Sequence, residues 1–353
     1  MQTREIFYTE AENTPDLLSN GTLKNHAAKT KEVSALNLET DVPRIILGTM
    51  NYGAQVDELT ADQMLAMFLD RGYREIDTAY KYNDGASEEI LGRLLTPDRR
   101  GKIYLATKAS PLDGGGLGAE NIVKQVHTSL HRLKTDYIDL LYLHAPDPRT
   151  PIEVTLEACE KLFREGKFRE LGLSNYASWQ VADIWHLCKQ NGWIIPSVYQ
   201  GRYNAITRDV EGELFPAVRN FNIRFYAYNP LAGSLLTGKH SQIGNVPREG
   251  RFALKSAYLE RFWKKSYFDA IEVLQDISER EGLSMIRIAL IWILRYSFLK
   301  GPSGDGVIIA ASNLRQWECN LNSLDGELPG KVLEAVDQAW EKARRDCPPY
   351  SRA

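Results

Sequence analysis

Cysteine is scarce in this 353-residue chain, and the four present, Cys159, Cys188, Cys319 and Cys347, are scattered with no C-x-x-C pair. That excludes a zinc ribbon or a thioredoxin-like motif and predicts reduced thiols in a cytoplasmic protein. Charge of one sign is lacking too: 43 Lys and Arg against 46 Asp and Glu leave a formal charge of -3. Neither nucleic acid nor an anionic membrane is therefore an expected partner. No apolar run nears the roughly 18 residues that span a bilayer, so a membrane-embedded chain is not expected. No G-x-G-x-x-G lies between a strand and a helix, and no His/Asp cluster has metal-ligand spacing. His127 and His131 stand at i and i+4 without a third ligand and read as a solvated helix face. Three consecutive glycines in 113–118 lack the spacing of a phosphate loop and read as a rim loop.

What is present begins at Arg44. Residues 1–43 form a polar extension whose Glu5, Glu10, Glu12, Asp16 and Glu39 do not suit a basic, acid-poor presequence. Asn20-Gly21-Thr22 within it reads as a chance match to a glycosylation acceptor. From Arg44 on, short apolar runs alternate with amphipathic segments, and eight runs are expected as strands: 44–48, 75–77, 103–107, 137–143, 168–173, 196–199, 223–228 and 307–310. Thr60-Ala61-Asp62-Gln63 has the form of a capping box, and Ser87-Glu88-Glu89 places a cap and two acids at a helix start. Strands alternating with helices predict parallel pairing through right-handed crossovers, and eight units predict closure. The expected fold is one α/β domain over 44–353, a (β/α)8 TIM barrel with loop insertions between 228 and 307 and a terminal helix over 333–345.

Chemistry in such a barrel sits at the C-terminal strand ends. Those positions hold Met50, Asp77, Lys108, His144, Ser174, Asn175, Gln200, Tyr228 and Ser312. Asp77 and Lys108 end neighbouring strands and can meet in the mouth, a costly pair to bury and weak evidence for stability. Tyr82 follows by five residues, near enough for its loop to fold the phenol back. A neighbouring ammonium lowers a phenol's pKa from near 10 and strengthens it as a proton donor. His144, on the fourth strand, can share the same carbonyl oxygen. Taken singly, these are a rim salt bridge, a surface tyrosine and a buried histidine; taken together they point to acid–base chemistry.

Asp77-Thr78-Ala79 with Tyr82, then Lys108 and His144, resembles the catalytic tetrad of the aldo-keto reductases in order and spacing. Further motifs carry the resemblance from Arg44 to Pro349: Gly172-Leu173-Ser174-Asn175-Tyr176, Tyr199-Gln200-Gly201, Tyr203–Arg208, Asn229-Pro230-Leu231-Ala232-Gly233, Leu235–Lys239 and Cys347-Pro348. They follow the branch of aflatoxin-aldehyde and succinic-semialdehyde reductases. The resemblance implies NADPH bound across the mouth, its carboxamide held by Ser174, Asn175 and Gln200 and its ring stacked on Tyr228. Asn229, Pro230, Leu231, Gly233, Leu235 and Lys239 would wrap the pyrophosphate. Arg251 would meet the 2′-phosphate, and Ser312, Gln316 and Asn320 would hold the adenosine end.

Tyr82 would then donate the proton as hydride reaches the carbonyl carbon, with Lys108 and Asp77 keeping the phenol acidic and His144 orienting the carbonyl. Met50, the loop over 251–265 and the C-terminal tail would select the substrate, a small-molecule carbonyl. Arg261 and Arg352 match positions where the branch places arginines around an acidic group. The tail departs from the branch by a residue after the arginine, and the loop is shorter by a couple of residues. Two alternatives stay open: a reductase of a large polycyclic intermediate, and a cofactor-binding regulatory subunit with little turnover. The branch also suggests a homodimer.

Overall fold

Eight strands pair in parallel in the order of the chain, and the eighth returns to the first, closing a (β/α)8 TIM barrel. The computed structural model describes residues 41–248, 251–254 and 256–352, so all but the end of the 1–43 extension, with Asn20, lies outside the described residues. The strands are β1 (Arg44–Gly48), β2 (Glu75–Asp77), β3 (Tyr104–Ala109), β4 (Ile138–Leu143), β5 (Phe168–Ser174), β6 (Val198–Arg202), β7 (Arg224–Tyr228) and β8 (Gly306–Ile309). The helices that return the chain are α1 (Glu58–Asp70), α2 (Ala86–Leu94), α3 (Ala119–Leu133), α4 (Ile152–Arg164), α5 (Ser178–Asn191) and α6 (Leu214–Asn220). After β7 come the added helices α7 (Ser256–Phe262) and α8 (Lys265–Glu281). Next is α9 (Met285–Ile291), continued by a π-helical turn over Trp292–Tyr296. Beyond β8 stand α10 (Leu314–Leu321) and α11 (Gly330–Ala343), and α11 packs against α8. Among the described residues no helix is long and apolar enough to cross a membrane.

Period-two alternation assigns each strand residue a side. Ile76, Leu105, Thr107, Leu141, Leu143, Leu173, Tyr199 and Ala227 face the helices, most of them in one continuous apolar core. Their neighbours Asp77, Lys108, Tyr142, Ser174, Gln200 and Tyr228 must then face the barrel axis. At the opposite, N-terminal end the axis is polar: Arg44 donates to Glu75 at 2.7 Å, Tyr226 donates to the same carboxylate, and Tyr104 and Arg224 donate to Glu170.

Several local expectations are corrected. Asp57, not Thr60, caps α1, its side chain accepting from the Thr60 amide, because the helix begins at Glu58. α2 begins at Ala86 with Gly85 at its cap, so Ser87 and Glu88 lie inside the helix and both are buried. β3 extends two residues past 107, so Lys108 lies within the strand opposite Tyr142. β6 is displaced towards the C-terminus and contains Gln200, since Pro196 has no N–H for a ladder. The terminal helix starts earlier, at Gly330, and gives way to a 3-10 turn at Arg344.

Candidate active site

The axis-facing ends of β2 and β3 put an acid and a base together. Lys108 is wholly buried, and its ammonium donates to Asp77 Oδ2 at 2.6 Å and to the Thr78 carbonyl at 2.7 Å. Gln200, from β6 across the barrel, donates to the other Asp77 oxygen at 2.8 Å. Burial works against both charges, raising the Asp77 carboxyl and lowering the Lys108 ammonium, while each charge stabilises the other. A third donation from Lys108 reaches the Tyr82 hydroxyl at 3.3 Å, with the ammonium 4.8 Å from that ring's centre.

Tyr82 is delivered by the loop after β2. Thr78 and Tyr80 continue hydrogen bonding to β3 through the Ala106 and Lys108 carbonyls, and the Tyr82 amide then turns back to Ala79. Asn83 and Asp84 follow at φ 51° and 54°, a left-handed turn that short polar side chains tolerate. Asn83 fastens the turn by donating to the Met50 and Tyr52 carbonyls. Beneath the loop, Ser87 bonds the Thr49 and Thr78 hydroxyls, and Glu88 accepts from Thr107 and Arg132. Arg132 also donates to the Tyr80 carbonyl. These supports were missed by sequence reasoning, in which Ser87 and Glu88 were a cap and a first-turn acid.

His144 follows β4, and its ring centre lies 6.0 Å from that of Tyr82, nearly edge-on. Burial, with the Lys108 and Arg352 charges nearby, holds the imidazole well below its ordinary pKa, so it is neutral. Its Nδ1 is buried with no hydrogen-bond partner. Ser174, Asn175 and Gln200 line the adjoining wall. Asn175, at φ 65°, donates to the His144 carbonyl and Ser174 Oγ and accepts from the Tyr228 hydroxyl. With Gln200 Nε2 on Asp77, the amide acceptor of Gln200 is the group left for a ligand.

The segment after β7 is a run of left-handed turns: Asn229, Ala232, Gly233, Ser234 and Gly238 all have positive φ. Within it the Ala232 amide donates to the Asn229 carbonyl, and the Ser234 and Leu236 amides both donate to the Leu231 carbonyl, which folds the run into a tight loop. A Cβ on Gly233 would press to 2.9 Å of the Tyr258 ring, so this loop fits closely under α7. Pro230, Leu235 and Asn229 are buried within it, Leu231 is half-buried, and Lys239 is exposed. On the far side, Ser312 donates to Gln316, and Asn320 to the Ala310 carbonyl, so those three occupy one rim beyond β8. Arg251 opens a single helical turn, but its side chain lies outside the described part of the chain. Met50, Arg261 and Arg352 are half-buried, and the amide of Arg352 donates to the Asn175 carbonyl at 2.8 Å. His127 and His131 are exposed on α3.

The aldo/keto reductase family model matches residues 44–341. Human aflatoxin B1 aldehyde reductase member 2 is 48% identical over 324 residues, 88% of this chain and 90% of that protein. Human aldo-keto reductase family 7 member A3 is 47% identical over 88% of this chain and 97% of its own length. At greater distance, the oxidoreductase sirO of Leptosphaeria maculans is 31% identical over 88% of this chain and 98% of its own.

Proposed function

Because this chain belongs to the aldo/keto reductase family, we propose that it reduces aldehydes and ketones with NADPH, Tyr82 being the proton donor. One observation carries the reading: a fully buried ammonium, held by Asp77, lies 3.3 Å from the Tyr82 hydroxyl. Nothing about folding favours a lysine there, since burial costs it dearly. A phenol that gives up its proton leaves a phenolate, and that ammonium stabilises the phenolate as it forms.

The wall and loop fit the cofactor the family uses. Ser174 Oγ and the Gln200 carbonyl offer polar groups at the strand ends, and the tight loop over 229–238, with Gly233 and Gly238 at positive φ, would take the pyrophosphate. Tyr228 is tied by its hydroxyl to Asn175, which leaves its ring as the stacking surface. Ser312, Gln316 and Asn320 would take the adenosine end, and Arg251 the 2′-phosphate through paired N–H donors. When bound, the reduced nicotinamide supplies the hydride.

The remaining work falls to the chain. His144, neutral, can donate to the carbonyl oxygen without competing for the Lys108 charge, and so orients the substrate. Tyr82 passes its proton to that oxygen, and Lys108 with Asp77 holds the resulting charge. Met50, Arg261 and Arg352 would contact the rest of the substrate.

Tyr82→Phe keeps the ring and removes only the transferable proton. Turnover of 4-nitrobenzaldehyde should fall by about 100- to 10,000-fold, the usual worth of a general acid. NADPH affinity, read by fluorescence titration, should stay within a few-fold. Near wild-type turnover in this variant would overturn the assignment.

A further inference from the structure

The strand β6 carries a second buried cation that the chemistry above does not use. Arg202 follows Gln200 by two residues, so it faces the same axis, paired with Tyr228 of β7. It is 5% exposed, and its Nε is buried without a partner. Its Nη2 donates to the Pro348 and Pro349 carbonyls. Two consecutive prolines present carbonyls and no N–H, so that stretch cannot fasten itself by donating and needs a donor from the barrel. Beyond it, the Tyr350 amide donates to Asp209, its hydroxyl accepts from the Ser178 amide, and the Arg352 amide donates to Asn175. Arg202 also lies over the ring of Phe262, 6.0 Å from its centre, beside Arg261 at the end of α7. One side chain thus touches both segments that carry the other two arginines.

We propose that Arg202 is a positioning residue: by holding the Pro348-Pro349 carbonyls and Phe262 together, it sets Arg352 and Arg261 at one spacing and makes the mouth select carboxylate-bearing carbonyl compounds. None of the three guanidiniums forms an ion pair with a carboxylate of the described residues. Arg261 is lowered from its ordinary pKa by burial and then by the Arg202 and Arg352 charges. Three cations gathered without a counterion repel one another, and a bound carboxylate relieves that repulsion. The proposal rests on the reductase reading for its kinetics but not for its binding test.

Arg202→Gln and Arg202→Lys separate position from charge. Hydrogen exchange would be followed at the Tyr350 and Arg352 amides, and calorimetry would give the affinity for phthalate, an unreactive dianion. Kinetics would compare 2-carboxybenzaldehyde with benzaldehyde. In Arg202→Gln both amides should exchange faster while the barrel strands do not. Phthalate should bind roughly tenfold more weakly, and KM for 2-carboxybenzaldehyde should rise similarly, as expected for a lost bond to a charged group. Its kcat and both constants for benzaldehyde should hold. Arg202→Lys should recover tail protection and phthalate affinity together. Affinity recovered while the tail stays unprotected would overturn the positioning role, as would a loosened tail with phthalate affinity unchanged. If the wild-type protein reduces neither aldehyde, the reductase reading falls, and the exchange and phthalate data still decide the role of Arg202.

Discussion

His144 shows how one residue's surroundings set its protonation. Half-buried, with its Nδ1 shut off from solvent and the Lys108 and Arg352 charges nearby, it refuses a proton that the same imidazole accepts in an unfolded chain. Below about pH 6.5 the unfolded state therefore binds more protons than the folded one, and stability falls as the pH drops. The slope from this single group is at most about 1.4 kcal/mol per pH unit. His144→Asn should flatten the acid limb of a plot of urea midpoint against pH; an unchanged limb would show that other groups set it. The residue's place after β4 was readable from the sequence, because an apolar run ends there. Its neutrality was not, because the loss of solvent that chiefly causes it comes from closing the barrel, and the charges that add to it come from β3 and from a tail 208 residues away.

At the level of elements, the loop carrying Tyr82 depends on how α2 meets α3. Gly92 permits the approach: a Cβ there would overlap the Arg132 carbonyl oxygen. Arg132 in turn bonds Glu88 and the Tyr80 carbonyl. Gly92→Ala should lower stability by about 1–3 kcal/mol through overpacking, measured by chemical denaturation. Because Arg132 would be displaced with the helix, turnover should fall as well. A variant as stable and active as wild type would show that the helices can part without moving the loop. Strand periodicity made the alternation of strands and helices legible. It did not reveal that Ser87 and Glu88 face inward, since capping residues and buried polar residues share the same amino acids.

Across the whole molecule, stability and chemistry occupy opposite ends of the barrel. At the N-terminal end, Glu170 accepts from Tyr104, Ser197 and Arg224. Glu170→Gln would take from Arg224 the carboxylate it is paired with and should cost about 1–3 kcal/mol of stability, between the scales for exposed and for fully buried pairs, since both partners are half-buried. The kcat for an aldehyde should be unaffected below the melting transition, because the mouth lies at the other end of the strands. A fall in kcat with unchanged thermal midpoint would contradict this division.

The amino-acid sequence by itself determined the number and order of the strands, and it marked Asp77, Lys108, His144 and Tyr82 by their places at or near strand ends. Hydrophobic period and strand ends are local properties, written in neighbouring residues. Tertiary structure alone decided which polar groups meet: Gln200 on Asp77, Arg132 on Glu88 beneath the Tyr82 loop, and Arg202 on the tail, across 123, 44 and 147 residues. Those pairings follow from closing eight strands into a ring. Closure brings the first strands beside the last, and no periodicity along the chain records which side chains then face one another.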